Sequence, residues 1–412
     1  MKRIILLALL LIAADAHADL YWGGFLQGLY GGRLHEINPT ETEYTASETR
    51  LQLRMEHFGD RGEMFGRLDF TYDGASDPEY DWELREAYVK FRLGSRFDFK
   101  IGRQILTWGT GDLVFINDVF AKDYKSFFVG RDDQYLKAPQ DAIRMEFYSG
   151  IGSFTIVWTP KFAPNRLPGG ERLSFYNPMV GAIVGTDGAM QPQRPESRFK
   201  NSEIATRFSR RIGNFTSALY FYRGFYKNPE GFDMSTGSPI YPRLHVYGAS
   251  VRGPIAGGIL WLEGGYFDSQ DDKCGEDPFI PNSSISGLFG FERQVATNLT
   301  ANIQWQVDYM TDYDVYEMQQ MAGGGYVRDE VYHLLTSRVT KKLMDELLTL
   351  SGFVFYSPSD EDGYARGSVE YKYTDEIILA AGANIFGGDY EAGDFGQFKL
   401  NDNVWVKVTY GF

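Results

Sequence analysis

Val404-Trp405-Val406-Lys407-Val408-Thr409-Tyr410-Gly411-Phe412 is the stretch whose reading decides the fold. One parity (Val404, Val406, Val408, Tyr410, Phe412) is apolar or aromatic, and the other carries Lys407, Thr409 and Gly411 together with Trp405. Side chains of a strand alternate between its two faces, so the segment predicts a strand with one greasy face and one mixed face.

The same alternation recurs upstream. Ile303, Trp305, Val307 and Tyr309 interleave with Asn302, Gln304, Gln306 and Asp308, and Leu51, Leu53 and Met55 interleave with Arg50, Gln52, Arg54 and Glu56. Val369, Tyr371 and Tyr373 alternate with Ser368, Glu370 and Lys372, and Ile143, Met145 and Phe147 with Arg144, Glu146 and Tyr148. Eighteen such segments are expected: 20–32, 43–57, 62–73, 82–93, 96–108, 139–149, 152–160, 200–211 and 214–226, then 243–253, 256–267, 288–299, 302–312, 328–340, 346–356, 362–373, 376–386 and 399–412. The tenth, fourteenth and seventeenth alternate poorly, and the fifth has Arg103 in phase with its apolar residues.

The connections are in turn short and long. Phe58 to Arg61, Gly94-Ser95, Gly150-Ile151, Ile212-Gly213, Pro254-Ile255, Thr300-Ala301, Lys341 to Asp345 and Thr374-Asp375 read as tight turns. The joints between them are longer, above all 109–138 and 161–199. A soluble sandwich has no reason to segregate its connections in this way, whereas a transmembrane barrel has short turns at one end and long loops at the other. The expected fold is therefore all-β: an antiparallel up-and-down barrel in which charges face the interior and hydrocarbon faces lipid.

Lys2 and Arg3, the apolar run Ile4 to Ala14 and the small-x-small site Ala16-His17-Ala18 form a secretory signal peptide, residues 1–18. One barrel is then expected over 19–412, with no plug domain ahead of it. Mean hydropathy is −0.32, and a barrel is compatible with that value because only half of each strand is apolar. Aromatic residues make up 16%, with 31 Phe and 27 Tyr, consistent with two interfacial girdles. Cys274 is the single cysteine, so there is no disulfide framework and no cysteine metal site. A net charge of −14 argues against nucleic acid as a partner.

The terminal aromatic Phe412, with Tyr410 two places earlier, resembles the closing strand of bacterial outer-membrane β-barrels. That resemblance implies that the two residues belong to the signal read by the barrel-assembly machinery, and that the chain lies in the outer membrane of a Gram-negative bacterium among lipid and lipopolysaccharide. Gly102-Arg103-Gln104, Trp108-Gly109 and the Asp-rich segment after them resemble what porin-like channels carry at this joint. The strand count is similar to that of substrate-specific porins with a basic ladder. A channel passing small hydrophilic, anionic solutes is the function implied, with a homo-oligomer as one possible assembly.

Parity assigns Arg50, Arg54, Arg67, Lys90, Arg92, Arg144, Arg207, Arg338, Arg366 and Lys372 to the interior, against Glu56, Asp69, Glu86, Glu146, Glu263 and Glu370. Such a wall either favours anions or consists of cross-strand pairs. The 109–138 loop contains Leu113 to Ile116, Val119, Phe120, Phe127 and Phe128, too apolar to stay disordered in water. By the resemblance it folds inward as a constriction. Its Asp112, Asp118, Asp123, Asp132 and Asp133 either line that constriction opposite the basic wall, or cap turns, or bind calcium. The Pro-punctuated 161–199 loop is expected over the mouth, and the acidic 268–287 loop as a solvated surface.

No catalytic residues, metal site or cofactor are implied: the histidines have no ligand spacing, and no nucleophile or phosphate-cradling motif occurs. His333 and Ser351 fall on neighbouring strands without a supporting signature. The alternative function is a structural or adaptor barrel that anchors a periplasmic or surface partner.

Overall fold

The computed structural model describes residues 19–40, 42–59, 62–323 and 327–412. The segment 1–18 expected to be a signal peptide and the Asp60-Arg61 half of the first tight turn lie outside these residues. The chain forms β1 (Asp19–Arg33), β2 (Tyr44–Gly59), β3 (Gly62–Asp73), β4 (Tyr80–Leu93), β5 (Phe97–Ile105), β6 (Pro139–Ser149) and β7 (Gly152–Thr159). The hairpin β8 (Phe175–Asn177) and β9 (Ala182–Val184) follows, then β10 (Glu203–Ile212), β11 (Phe215–Phe225) and a second hairpin, β12 (Gly231–Asp233) and β13 (Ser238–Ile240). The rest are β14 (Arg243–Ile255), β15 (Gly258–Ser269), β16 (Ser284–Ala296), β17 (Leu299–Met310), β18 (Val331–Leu343), β19 (Leu348–Ser357), β20 (Asp362–Lys372), β21 (Ile377–Gly388) and β22 (Asn403–Gly411). Without the two hairpins, eighteen strands pair antiparallel in chain order, and β22 closes on β1 through Phe25↔Gly411 to Arg33↔Asn403.

The lipid parity is legible from exposure. Val404, Val406, Val408, Tyr410 and Phe412 are exposed, whereas Trp405 and Lys407 are buried toward the interior. Turning the polar parity outward would cost roughly 2–4 kcal/mol for each Lys or Arg at the midplane. On the outer face Phe97, Phe147, Phe154 and Phe208 form a cross-strand ladder near the short turns, with centroid separations of 4.9, 6.4 and 4.6 Å. Cross-strand aromatic pairs contribute about 0.2–1 kcal/mol each, so this row helps fix register as well as depth.

Each expected strand has a counterpart, but some ends move. The turn expected at Pro254-Ile255 is Ala256-Gly257, both left-handed (φ 51° and 73°), as a two-residue hairpin of this hand requires. The turn expected at Thr300-Ala301 lies at Thr297-Asn298, with Asn298 at φ 54°. The fourteenth barrel strand begins at Val331 instead of 328, and the last at Asn403 instead of 399. Strand β5 stops at Ile105, three residues early, where the chain turns inward. Arg103 does occupy the lipid parity of β5. Beside it β4 has a bulge at Arg85, and Arg103 donates to the Leu84 carbonyl and lies 3.5 Å from the Asp141 carboxylate.

The poor alternation of three strands has one cause. Leu244 and Val246 of β14, Tyr332 and Leu334 of β18, and Phe386 of β21 are inward apolar residues that join buried clusters with the 106–138 loop. On these three strands the wall is apolar inside because the loop's apolar side chains pack on it.

Candidate functional site

The 106–138 loop crosses the lumen and is fastened on both sides. Trp108 meets Phe120 and Tyr220 at 5.0 and 6.0 Å, which carries the chain from β5 toward β11 and β14. Farther on, Glu263 of β15 accepts hydrogen bonds from the backbone N–H groups of Thr110, Gly111 (3.1 Å) and Asn117 (3.3 Å), and from Asn117 Nδ2 (3.1 Å). A Cβ on Gly109, where φ is +81°, would sit 3.0 Å from that carboxylate. Gln304 of β17 both accepts from the Asp112 N–H (2.8 Å) and donates to its carbonyl (2.7 Å).

The return limb lies against the first strands. Tyr135 is fully buried between the guanidinium groups of Arg50 and Arg85, 4.1 and 4.4 Å from its ring. Its hydroxyl donates to Asp69 (2.9 Å), which also pairs with Arg50 (2.7 Å) and accepts from Gln52 (2.9 Å). Arg131 and Arg50 share Glu48, both at 2.8 Å. Gly130, at φ +86°, presses its backbone on the Trp405 indole, where a Cβ would come within 2.6 Å.

Of the five loop aspartates, three reach the wall. Asp112 pairs with Arg338 (3.1 Å), Asp132 with Lys407, and Asp133 with Arg366 (2.9 Å) and Arg338 (3.5 Å). The other two do not line a passage, contrary to the constriction-lining expectation. Asp118 is buried among Thr107 (2.8 Å), Lys122 (3.1 Å) and Lys137 (2.5 Å). Asp123 is also buried: it caps the four-residue helix Tyr124–Phe127 through the Ser126 N–H (2.9 Å) and pairs with Arg166 (3.2 Å). Their physical role is to close the loop on itself and on its neighbour. Burial lowers the Lys122 ammonium to about 8, although Asp118 opposes the change. Burial works against the Asp118 carboxylate too, but Lys122 and Lys137 outweigh it and hold the group below its ordinary range.

All ten basic residues assigned by parity occupy inward register positions, and eight are matched by carboxylates. Besides Arg50, Arg338 and Arg366, the pairs are Arg54–Glu56 (3.3 Å), Arg67–Glu86 (2.7 Å), Lys90–Glu63 (3.2 Å), Arg92–Asp98 (2.6 Å) and Arg144–Glu146. Arg207 and Lys372 have no carboxylate within 4.0 Å among the described residues; Arg207 stands 5.8 Å from the Tyr220 ring. Sequence reasoning missed Arg85, because the β4 bulge turns it and Glu86 to the same side. It also missed Glu48, Glu63, Asp98 and Lys407, which parity alone would have found.

The 161–199 loop closes over this assembly. Arg166 pairs with Glu83, Arg172 pairs with Asp73 (2.7 Å), and Ser174 bonds Asn401 (3.1 Å).

No protein-family model and no curated protein matches the chain. Solved structures do. Pseudomonas aeruginosa OccK2, in complex with glucuronate, aligns at a TM-score of 0.57 and 11% identity over 96% of this chain and 98% of its own. Acinetobacter baumannii OccAB4 aligns at 0.56 and 12% over 97% and 99%. OccAB3 of the same organism aligns at 0.53 and 10% over 96% and 99%. The chain has the fold of these porin-like barrels. In porin-like barrels the long-loop end is the outer one and the short turns are periplasmic. Arg54, Lys90 and Arg92 then face water on the short-turn side of the inserted loop, and Arg338 and Arg366 meet Asp133 on its return limb.

Proposed function

We propose that this barrel is a passive channel for small hydrophilic solutes, narrowed by the 106–138 loop, with a mild preference for carboxylate-bearing anions. The observation that supports the reading is the unequal hydration of the interior. Asp133 keeps 45% of its side-chain surface open while bound to Arg366 and Arg338, so a water-accessible charged edge runs beside an otherwise packed loop. An interior this wide is not filled by wall side chains alone. Because eight of the ten wall cations are matched by carboxylates, the anion preference rests on Arg207 and Lys372. OccK2, which binds glucuronate, offers a carboxylate precedent on the same fold.

The reading includes lipid and lipopolysaccharide as surroundings, Tyr410 and Phe412 as part of the assembly signal, and a homo-oligomer as one possible assembly. A second reading, the adaptor barrel with incidental conductance, is favoured by the two apolar clusters that fill much of the loop level. Planar-bilayer recording separates the two. Ohmic conductance whose reversal potential moves toward cations in the Arg207→Ser/Lys372→Ser variant supports the channel. A silent barrel supports the adaptor, and unchanged selectivity in the variant removes the anion preference.

A further inference from the structure

On the outside of the barrel, β10, β11 and β14 present a cleft that the transport reading does not use. Arg223 lies on the lipid parity of β11, across from Ile204 of β10 and His245 of β14. With Lys200 and Arg243, Arg223 and His245 line a polar cleft of about 260 Å³ at the long-loop end. A second cleft of about 480 Å³ shares Lys200 and Arg223 but is walled by Trp158, Phe199 and Ile204. Phe199 is 83% exposed and lies 6.1 Å from Trp158. Phe221 and Tyr247, 5.3 Å apart on the same outer face, continue the aromatic row one step deeper.

This arrangement differs from that of Arg103, the lipid-parity cation of β5. Arg103 is neutralised by Asp141, whereas Arg223, Arg243 and Lys200 have no carboxylate within 4.0 Å of their side-chain nitrogens among the described residues. Asp271 lines the polar cleft but is held by the Arg243 backbone N–H (2.7 Å), and Asp268 stands opposite His245. Cations without partners, directly above an aromatic row and facing lipid, match an amphiphile with an anionic head.

We propose that this paired cleft binds a phosphorylated glycolipid of the outer leaflet, lipid A in chemical class. The phosphate would engage Arg223, Arg243 and Lys200, and an acyl chain would lie against Trp158, Phe199 and Ile204. The inference rests on the outer-membrane orientation given above, but not on conductance.

The test is native mass spectrometry of the detergent-purified barrel with added bisphosphorylated lipid A, its dephosphorylated form, phosphatidylethanolamine, and inorganic phosphate as competitor. Wild type should hold bisphosphorylated lipid A, and Arg223→Ser/Arg243→Ser should bind it about tenfold more weakly for the loss of charged hydrogen bonds. Lys341→Ser/Lys342→Ser, at the periplasmic end, should bind as wild type does. Equal affinity for the dephosphorylated lipid, equal affinity of the Arg223/Arg243 variant, or displacement by millimolar phosphate would each overturn the site. If the double variant fails the heat-modifiability check for folding, Lys200→Ser and the wild-type lipid comparison decide. Conductance of the same samples is read separately: a silent barrel that still selects bisphosphorylated lipid A breaks the channel reading and leaves this one standing.

Discussion

Two ion pairs in this barrel have nearly the same geometry and different physics. Near the periplasmic turns, Arg92 meets Asp98 at 2.6 Å with 66% of the arginine side chain in solvent. At the loop level, Arg50 meets Asp69 at 2.7 Å with 5% exposed. Both arginines point inward from the same kind of strand. What separates them is the inserted loop, which excludes water from one and leaves the other wet. An exposed pair contributes little, whereas a buried pair that loses one partner leaves an uncompensated charge behind.

The sharpest way to break this comparison is Arg50→Ala. It should lower unfolding stability by about 3–5 kcal/mol, because Glu48 and Asp69 remain buried without their shared cation. Urea titration followed by heat-modifiable gel mobility measures it, and a loss no larger than that of an exposed pair would break the contrast.

Next comes Glu263→Ala, which leaves the N–H groups of Thr110, Gly111 and Asn117 without their acceptor at roughly 1–3 kcal/mol for each group stranded. The barrel should stay closed while the loop loosens, so single-channel current should rise and become noisier. A quiet, unchanged current would show that Glu263 is not the latch.

Acid sharpens the contrast further. The Asp118 carboxylate is held below its ordinary value of 3.8, so its contribution is present above that value and is lost as pH falls through the lowered one. Loop-dependent current noise should therefore be flat from neutral pH to about 4 and grow below it. In Asp118→Asn the noise should already be present at neutral pH. The smallest effect is expected for Arg92→Ala, which should leave the midpoint of the same titration where it is in wild type.

The strand count, the order of short and long joints and the facing of Arg54, Arg92, Val406 or Trp405 were legible in the sequence. Alternation with a period of two is a local property, and hydrocarbon outside fixes its sign. Parity also reached the right register for Arg207 and Lys372, yet said nothing about which cations would be neutralised. Glu48 and Arg131 lie far apart in the chain and meet only because the loop returns to β2. The bulge at Arg85 breaks the period locally, so no periodic argument could turn that arginine inward. Asp118 and Asp123 read in sequence like Asp112 and Asp133; packing alone put the first pair inside the loop and the second at the wall. Local side-chain alternation thus determined the barrel, while the path of one apolar loop through its lumen decided which charges are buried, which stay wet and where a solute would have to pass.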